Sequence, residues 1–213
     1  MRILITAATS TELLPALELK ETLCNKLTID AIETGIGTTP TAYHTLKAIA
    51  KSLDPRYDLA INIGIAGTLC NSLSIGSVVR VTSDHFGDNG IQTALGFQNL
   101  FDAQLLDANV FPYKSKRLSP DNLTPQWESA LASLPIAQGI TVQHPSDRPT
   151  MEVNGIETME GAAFFYVCIY ESIPCFALRA ISNRAGERDK SKWNIPLAIN
   201  SLQKTLSSFL HAL

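Results

Sequence analysis

Apolar and polar positions alternate along the chain in a way that predicts strands and helices in turn. Residues 2–7 form a mainly apolar run bounded by polar residues, which predicts a buried strand. Residues 12–24 carry leucines at helical spacing and predict a helix. The same reasoning predicts further strands at 27–33, 58–65, 77–83, 139–142 and 174–182, and further helices at 40–53, 127–134, 160–171 and from a cap at Asn194 to about residue 211.

This alternation predicts a three-layer α/β/α fold with a central, twisted, mixed but mostly parallel sheet that helices cover on both faces. We expect a single domain over residues 1–213. Residues 87–124 are irregular and polar, and we expect them to carry function or an interface. Because ligands bind at the carboxyl ends of the strands in such sheets, the segments directly after the strands are candidate sites.

The composition limits the possible functions. The chain has 213 residues, of which 45% are hydrophobic and 17% charged, and this content excludes disorder over most of its length. Its 17 basic and 20 acidic residues argue against a binder of nucleic acid or of membrane surfaces. The apolar runs are too short to span a bilayer, and the first is too short for a signal peptide. We therefore expect a cytoplasmic protein.

The cysteines and histidines indicate neither disulfides nor metal binding. Cys24, Cys70, Cys168 and Cys175 lack CxxC spacing, and each is expected to be a free, buried thiol. The four histidines have no ligand spacing, so we expect no metal and no other cofactor.

Two of the segments after strands combine candidate chemistry with a plausible structural role. In the first, Thr9 and Glu12 have the spacing of a helix capping box. In the second, residues 62–68, small residues would let a ligand or a helix approach the backbone closely. This second run lacks the spacing of a nucleotide-phosphate loop.

The other two segments lie near the end of the chain. Glu160 precedes Gly-Ala-Ala at the start of an apolar helix, where the helix dipole favours an acidic residue. Residues 179–184 end the last predicted strand and lead into a charged run that reaches Trp193. Such a run is usually a solvated loop, but its place at a strand end makes it a candidate site.

Together these segments resemble the nucleoside phosphorylase and nucleosidase superfamily over nearly the whole chain. The resemblance is closest to the hydrolytic branch, which includes the methylthioadenosine/S-adenosylhomocysteine nucleosidases. Within that branch the chain is most similar to the futalosine hydrolase family, through residues 159–168 and 182–193. The motifs occur in the family's order: Glu12, then Glu33-Thr34-Gly35-Ile36-Gly37, Asn62 to Gly67, Leu73-x-Ile75-Gly76-x-Val78-Val79, Met159-Glu160 and Ile181-Ser182-Asn183.

The resemblance implies a small-molecule nucleoside substrate and assigns roles to individual residues. Glu12 would orient or deprotonate water, Glu160 would bind the ribose hydroxyls, and Met159 would pack on the ribose. Further substrate contacts are implied at Ile65, Ala66, Gly67 and Val142. Leu95 and Phe97 match a segment that reaches into the partner's active site in dimeric members, which implies a homodimer.

Two features of the residues favour hydrolysis of a 6-oxopurine nucleoside. The loop from Ala7 to Glu12 lacks the Arg and Gly that a phosphorylase uses for phosphate, and a carboxylate there suits water activation. Asn183 stands where adenine nucleosidases carry Asp; its amide both donates and accepts hydrogen bonds, which suits hypoxanthine.

Futalosine, a nucleoside of menaquinone biosynthesis, also carries a carboxylate beyond the ribose. A cation for this group would come from Arg184, Arg188, Lys190 or Lys192, and an arginine is the better bidentate partner. Two alternatives stay open at this point. One is an adenine nucleosidase acting on methylthioadenosine, S-adenosylhomocysteine or aminodeoxyfutalosine, and the other is a non-catalytic nucleoside-binding protein.

The chain departs from the adenine nucleosidases in two places. Ile65 stands where they often have Ser. After Val142 the chain reads Gln-His-Pro-Ser-Asp, where they have small residues leading to an aromatic side chain that stacks on the base.

Overall fold

A mixed sheet organises the molecule in the computed structural model, which describes residues 1–52, 56–147 and 154–213. Within those ranges the sheet has seven strands in the order β2-β1-β3-β8-β7-β4-β9. They are β1 (Arg2–Ala7), β2 (Thr28–Glu33), β3 (Leu59–Thr68), β4 (Val78–Ser83), β7 (Ile136–Thr141), β8 (Gly155–Thr158) and β9 (Cys175–Arg184), and a separate hairpin comprises β5 (Gly90–Thr93) and β6 (Gly96–Asn99).

Five of the strands close on one another. Strand β3 pairs with β8 on one side and also with β9, while β8, β7, β4 and β9 are paired in sequence. The pairings β3–β8 and β4–β9 are antiparallel, and the other pairings in this sheet are parallel. The prediction of a mixed, mostly parallel sheet is therefore confirmed. Because β3 and β9 are parallel neighbours in this closed set of five strands, their carboxyl ends lie together at one edge.

Helices cover both faces of the sheet. They are α1 (Ser10–Thr22), α2 (Thr38–Lys51), α3 (Pro125–Leu131), α4 (Gly161–Tyr170) and α5 (Ile195–His211). Helices α1 and α5 pack together on one face around Leu13 and Leu202, and α2 and α4 pack on the other around Phe164. Strand β3 contributes apolar residues to both clusters, as expected for a strand buried on both faces. The three predicted layers are confirmed.

Several boundaries differ from the predictions. Strand β3 continues to Thr68 and β9 to Arg184, so residues 62–68 and 179–184 lie within strands rather than after them. Strand β8 and the β5–β6 hairpin were not predicted. Four residues are too few for a periodic pattern in β8, and the largely exposed hairpin has no buried face to impose one. The predicted end of the second helix, at residue 53, lies outside the described residues.

The expectation of four buried thiols is wrong at one position. Cys70, Cys168 and Cys175 are buried and free, but Cys24 is exposed, because it lies in the turn that follows α1. Among the described residues, no helix is long and apolar enough to cross a membrane, and no group of three metal-binding side chains is close enough to hold an ion.

Candidate active site

A cavity of about 360 Å³ opens at the carboxyl ends of β1, β3 and β9. This is the edge at which ligands bind in α/β sheets. Three carboxylates and one guanidinium belong to its wall. Its lining residues are Ala8, Thr9, Thr11, Glu12, Ile36, Ile65, Ala66, Gly67, Pro145, Glu157, Thr158, Met159, Glu160, Ser182, Asn183, Arg188, Trp193 and Ile195.

Glu12 is fixed by the start of α1 and by the neighbouring strand. Thr9 caps the helix, and its N–H and hydroxyl donate to Glu12 Oε2 over 3.1 and 2.7 Å. The N–H of Ile65 donates to Glu12 Oε1 over 3.0 Å. A carboxylate offers about four acceptor positions, so one remains for a ligand or a water molecule. The capping-box interpretation is thus correct, and it leaves Glu12 lining the cavity.

A glycine allows this close approach of Glu12 to strand β3. A side-chain carbon placed on Gly64 would lie 2.8 Å from Glu12 Oε1 and 3.8 Å from the guanidinium carbon of Arg179. Side-chain carbons in proteins essentially never lie within 3.0 Å of a neighbouring atom. Gly64 therefore leaves room for the carboxylate beside the strand, and the guanidinium lies close behind it.

Arg179 is a buried cation that sequence analysis did not single out. It is 2% exposed, and its Nη1 donates to the carbonyl oxygens of Asn62 and Leu178 over 3.0 Å each, while its Nη2 donates to Asn62 Oδ1. Burial lowers the pKa of Arg179, and the negative charges of three carboxylates oppose that shift; they belong to Glu160, Glu12 and Asp84. An arginine inside an apolar strand pattern is itself an unusual signal, because arginine is almost never fully buried without a partner.

Glu160 lies at the N-terminal end of α4. Its Oε1 accepts a hydrogen bond of 2.9 Å from the N–H of Gly37. Burial raises the pKa of Glu160, and the Gly37 N–H and the charge of Arg179 act in the opposite direction. The neighbouring Met159 accepts a 2.8 Å hydrogen bond at its carbonyl from Gln143. Two loops that are far apart in sequence thus hold the Met159-Glu160 pair against the cavity.

Asn183 lies near the end of β9 with its amide held by two neighbours. The hydroxyl of Ser182 donates to Asn183 Oδ1 over 2.7 Å, and Asn183 Nδ2 donates to the carbonyl of Arg184 over 2.8 Å. Because an amide nitrogen carries two hydrogens, one N–H can still be offered to a ligand. Asn183 is 5% exposed and lines the cavity, so this amide is held in a nearly dry position.

Glu157 and Arg188 form an ion pair in the cavity wall. Arg188 Nη2 lies 3.5 Å from Glu157 Oε1 and also donates to the carbonyl of Ser146. Burial raises the pKa of Glu157, while Arg188 lowers it and Asp88 raises it further. Sequence analysis gave Glu157 no role, because its strand was not predicted and its position therefore could not be inferred.

The structure brings most of the predicted site residues together. Glu12, Glu160, Asn183, Met159 and Arg188 line one cavity, as do Ile65, Ala66 and Gly67. Val142 is not among its lining residues; its N–H donates to the carbonyl of Thr158.

The remaining predicted contacts lie elsewhere in the described chain. Arg184 Nη1 donates to Asn71 Oδ1 over 2.7 Å, and Lys192 pairs with Glu187 over 2.9 Å. Leu95, at the tip of the β5–β6 hairpin, is 98% exposed, and Phe97 is 46% exposed. Of the four cations considered for the substrate carboxylate, Arg188 is the one found in the wall of this cavity.

The arrangement suits the cleavage of a bond that leaves a cationic sugar. A carboxylate with a free acceptor position can activate water, and a second carboxylate can strengthen its hydrogen bonds as positive charge develops. The formal charges in the wall are three acidic and one basic, which disfavours a phosphate dianion as the attacking group.

Comparison with known proteins agrees with this fold. The family model of the phosphorylase superfamily matches residues 18–211. Futalosine hydrolase from Thermus thermophilus is 30% identical over 189 residues, which are 84% of this chain and 80% of that protein. Futalosine hydrolase from Streptomyces coelicolor is 29% identical over 182 residues, which are 81% and 74% of the two chains.

Solved structures share the whole fold at lower sequence identity. A mutant of futalosine hydrolase from Helicobacter pylori superposes with a TM-score of 0.80 at 18% identity, covering all of both chains. The methylthioadenosine/S-adenosylhomocysteine nucleosidase of the same organism gives 0.77 at 18% identity, covering 100% of this chain and 99% of that one. The match over residues 18–211 and the 30% identity to a relative that is covered over 80% of its length lead to one conclusion. The chain belongs to the phosphorylase superfamily and is a nucleoside N-glycosidase of that superfamily.

Proposed function

We propose that this enzyme hydrolyses the N-ribosidic bond of futalosine, releasing hypoxanthine and dehypoxanthine futalosine in menaquinone biosynthesis. The observation that carries the proposal is the amide of Asn183 in the cavity wall, at the position where adenine nucleosidases carry a carboxyl. Relatives from two organisms, both futalosine hydrolases, support it at 30% and 29% identity.

Glu12 acts as the base of the proposed reaction. Departure of the purine leaves positive charge on the ribose, and water must then attack the anomeric carbon. Three donors hold the carboxylate of Glu12, so its remaining acceptor position orients that water and takes its proton. The proton and the hydroxyl of one water molecule thus complete the two products.

Glu160 and Met159 bind the ribose. Glu160 accepts hydrogen bonds from the ribose hydroxyls, and these bonds strengthen as the sugar becomes cationic. The Gly37 N–H fixes the side chain of Glu160 for this role. Met159 packs against the sugar, because it adjoins Glu160 in the same wall.

Asn183 selects the base. Its free amide N–H donates to N7 and O6 of hypoxanthine, both of which are acceptors. Adenine carries an amino group in place of O6, so the same N–H would face a donor. The Ser182 and Arg184 contacts keep the amide from turning over to suit adenine.

We further propose that the enzyme works as a homodimer in which the β5–β6 hairpin reaches the partner's cavity. Leu95 and Phe97 are exposed on this hairpin. Exposed apolar side chains of this size mark contact surfaces when they cluster. Sedimentation analysis of the wild type and of Leu95→Asp tests the arrangement, and a dimeric Leu95→Asp variant with full activity would contradict it.

The test of the proposed function is product release in phosphate-free buffer. The purified enzyme is given futalosine, inosine, methylthioadenosine and aminodeoxyfutalosine in parallel. We expect hypoxanthine from futalosine and little product from the other three. Release of adenine would instead identify an adenine nucleosidase, and the absence of product from all four, with and without phosphate, would favour a nucleoside-binding protein.

Asn183→Asp is expected to shift the preference of the enzyme towards adenine. The carbonyl of Arg184 would repel an ionised carboxylate at this position and so favour the protonated form. The proton can be donated to N7, which both bases carry, while the other oxygen can accept from the amino group of adenine but repels O6 of hypoxanthine. We expect the ratio of kcat/KM for aminodeoxyfutalosine to that for futalosine to rise on the order of 10- to 100-fold, which is the effect of one buried hydrogen bond. An equal change for both substrates would show that Asn183 does not read the base.

A further inference from the structure

One carboxylate in the cavity wall has no part in the proposed reaction. Glu157 lines the cavity, and its side chain is only 12% exposed. It contacts neither Glu12 nor Glu160 through any hydrogen bond in the described structure; its partner is Arg188. The ion pair with Arg188 offsets the cost of burying this acid, and the carboxylate keeps acceptor positions that a ligand in the cavity can use.

The strand register places Glu157 opposite Asn183. Gly67 of β3 pairs with Glu157 of β8 on one side and with Asn183 of β9 on the other. Neighbouring strands lie about 5 Å apart, so the Cα atoms of Glu157 and Asn183 are separated by about 10 Å. The residue between them is a glycine without a side chain, and all three residues line the cavity. A flat base can therefore lie between the two polar side chains.

The two side chains have complementary hydrogen-bonding capacity. The amide of Asn183 can donate a hydrogen bond, whereas an ionised carboxylate only accepts. Along one edge a 6-oxopurine presents two acceptors, N7 and O6, followed by a donor, N1–H. Adenine presents an acceptor at N1. The pair formed by Asn183 as the donor and Glu157 as the acceptor therefore matches the edge of the 6-oxopurine.

We propose that Glu157 is a specificity-determining residue that accepts the N1–H of a 6-oxopurine base, while Asn183 donates to the N7 and O6 end. The proposal rests on the proposed function, because it specifies how the same cavity reads hypoxanthine. Arg188 is the positioning residue of this pair: its charge favours the ionised form of Glu157, and its bond to the Ser146 carbonyl fixes it in the wall.

The test measures the binding of free bases, so it does not depend on turnover. Calorimetry gives Kd for hypoxanthine, 1-methylhypoxanthine and adenine with the wild type and with Glu157→Leu, which removes the acceptor. The methylated base lacks the N1–H. We expect the wild type to prefer hypoxanthine to 1-methylhypoxanthine by at least about tenfold, the effect of one hydrogen bond to a charged group. In Glu157→Leu this ratio is expected to fall close to one.

Two further variants separate recognition from structure. Glu157→Gln keeps an acceptor oxygen and is expected to retain part of the preference, even if Glu157→Leu proves unstable. Glu128→Gln also breaks an Arg–Glu pair, but at a residue outside the cavity wall, and is expected to leave all three Kd values unchanged.

The outcomes distinguish the two levels of the proposal. If the wild type releases hypoxanthine from futalosine but the hypoxanthine to 1-methylhypoxanthine ratio is the same in the wild type and both Glu157 variants, Glu157 does not read N1 and only this inference fails. If the wild type binds adenine more tightly than hypoxanthine and leaves futalosine intact, the proposed function fails as well.

Discussion

Glu12→Gln is expected to lower kcat for futalosine hydrolysis by about 10²- to 10⁴-fold, the range attributed to a general base. An amide cannot take a proton from water at neutral pH. In the wild type, three donors from Thr9 and Ile65 contact the two carboxylate oxygens of Glu12. The amide of the variant would meet the same donors. Whichever way the amide turns, its NH₂ faces at least one of these donors.

Substrate affinity separates a catalytic role of Glu12 from a structural one. If Glu12 acts on water, the Kd of the substrate changes little while kcat falls. Glu21→Gln is the matched control, because Glu21 lies on the same helix but is exposed; its activity and melting temperature should equal those of the wild type. A Glu12→Gln variant with the turnover of the wild type would remove Glu12 from the mechanism.

The first half of the fold was predictable because each element there has a strong local signal. Strand β1 is a mainly apolar run, and Thr9 with Glu12 forms the capping box that their spacing predicts. Strand β8 was missed, because four residues are too few to carry a periodic pattern. The closure of β3 against both β8 and β9 depends on long-range pairing, which no local pattern specifies.

The candidate site was predictable where chemistry follows from residue type. Glu12, Glu160 and Asn183 meet in one cavity, although they come from three distant segments. Glu157 was missed because its alignment with Asn183 arises from the register of three strands. Arg184 was expected to contact substrate, but its side chain bonds to Asn71; which way an exposed strand-end residue points depends on the pleat and the bulge at Ala66 and Gly67.

Arg179→Met is expected to lower the free energy of unfolding by about 3–5 kcal/mol at pH 8, the cost of leaving buried charges without their partner. The guanidinium is 2% exposed and interacts with the negative charges of Glu160, Glu12 and Asp84. Methionine keeps much of the volume but none of the charge. Urea denaturation of the wild type and the variant gives the difference.

The size of this effect should depend on pH. Burial raises the pKa of Asp84 from 3.8 to about 7, so the folded protein holds a proton there that the unfolded chain releases. The stability contributed by this proton is complete below about pH 4 and is lost as the pH rises through 7. Arg179 opposes the raised pKa of Asp84 and of Glu160, so its removal should raise both further, and the variant should lose more stability as the pH rises. The difference in the free energy of unfolding between the wild type and Arg179→Met is expected to be larger at pH 8 than at pH 5.5.

Two other variants establish the origin of the effect. Arg179→Lys keeps the positive charge but loses part of the hydrogen bonding to Asn62 and Leu178, so it should be less destabilised and show little additional pH dependence. Arg80→Met removes an arginine of the neighbouring strand β4 whose partner Glu128 is about half exposed, and should cost no more than about 1 kcal/mol. A gap for Arg179→Met that stays constant from pH 5.5 to 8 would mean that Arg179 stabilises the fold through its hydrogen bonds alone. A difference that grows with pH would show that the charge of Arg179 favours the ionised forms of the buried carboxyls of Asp84 and Glu160.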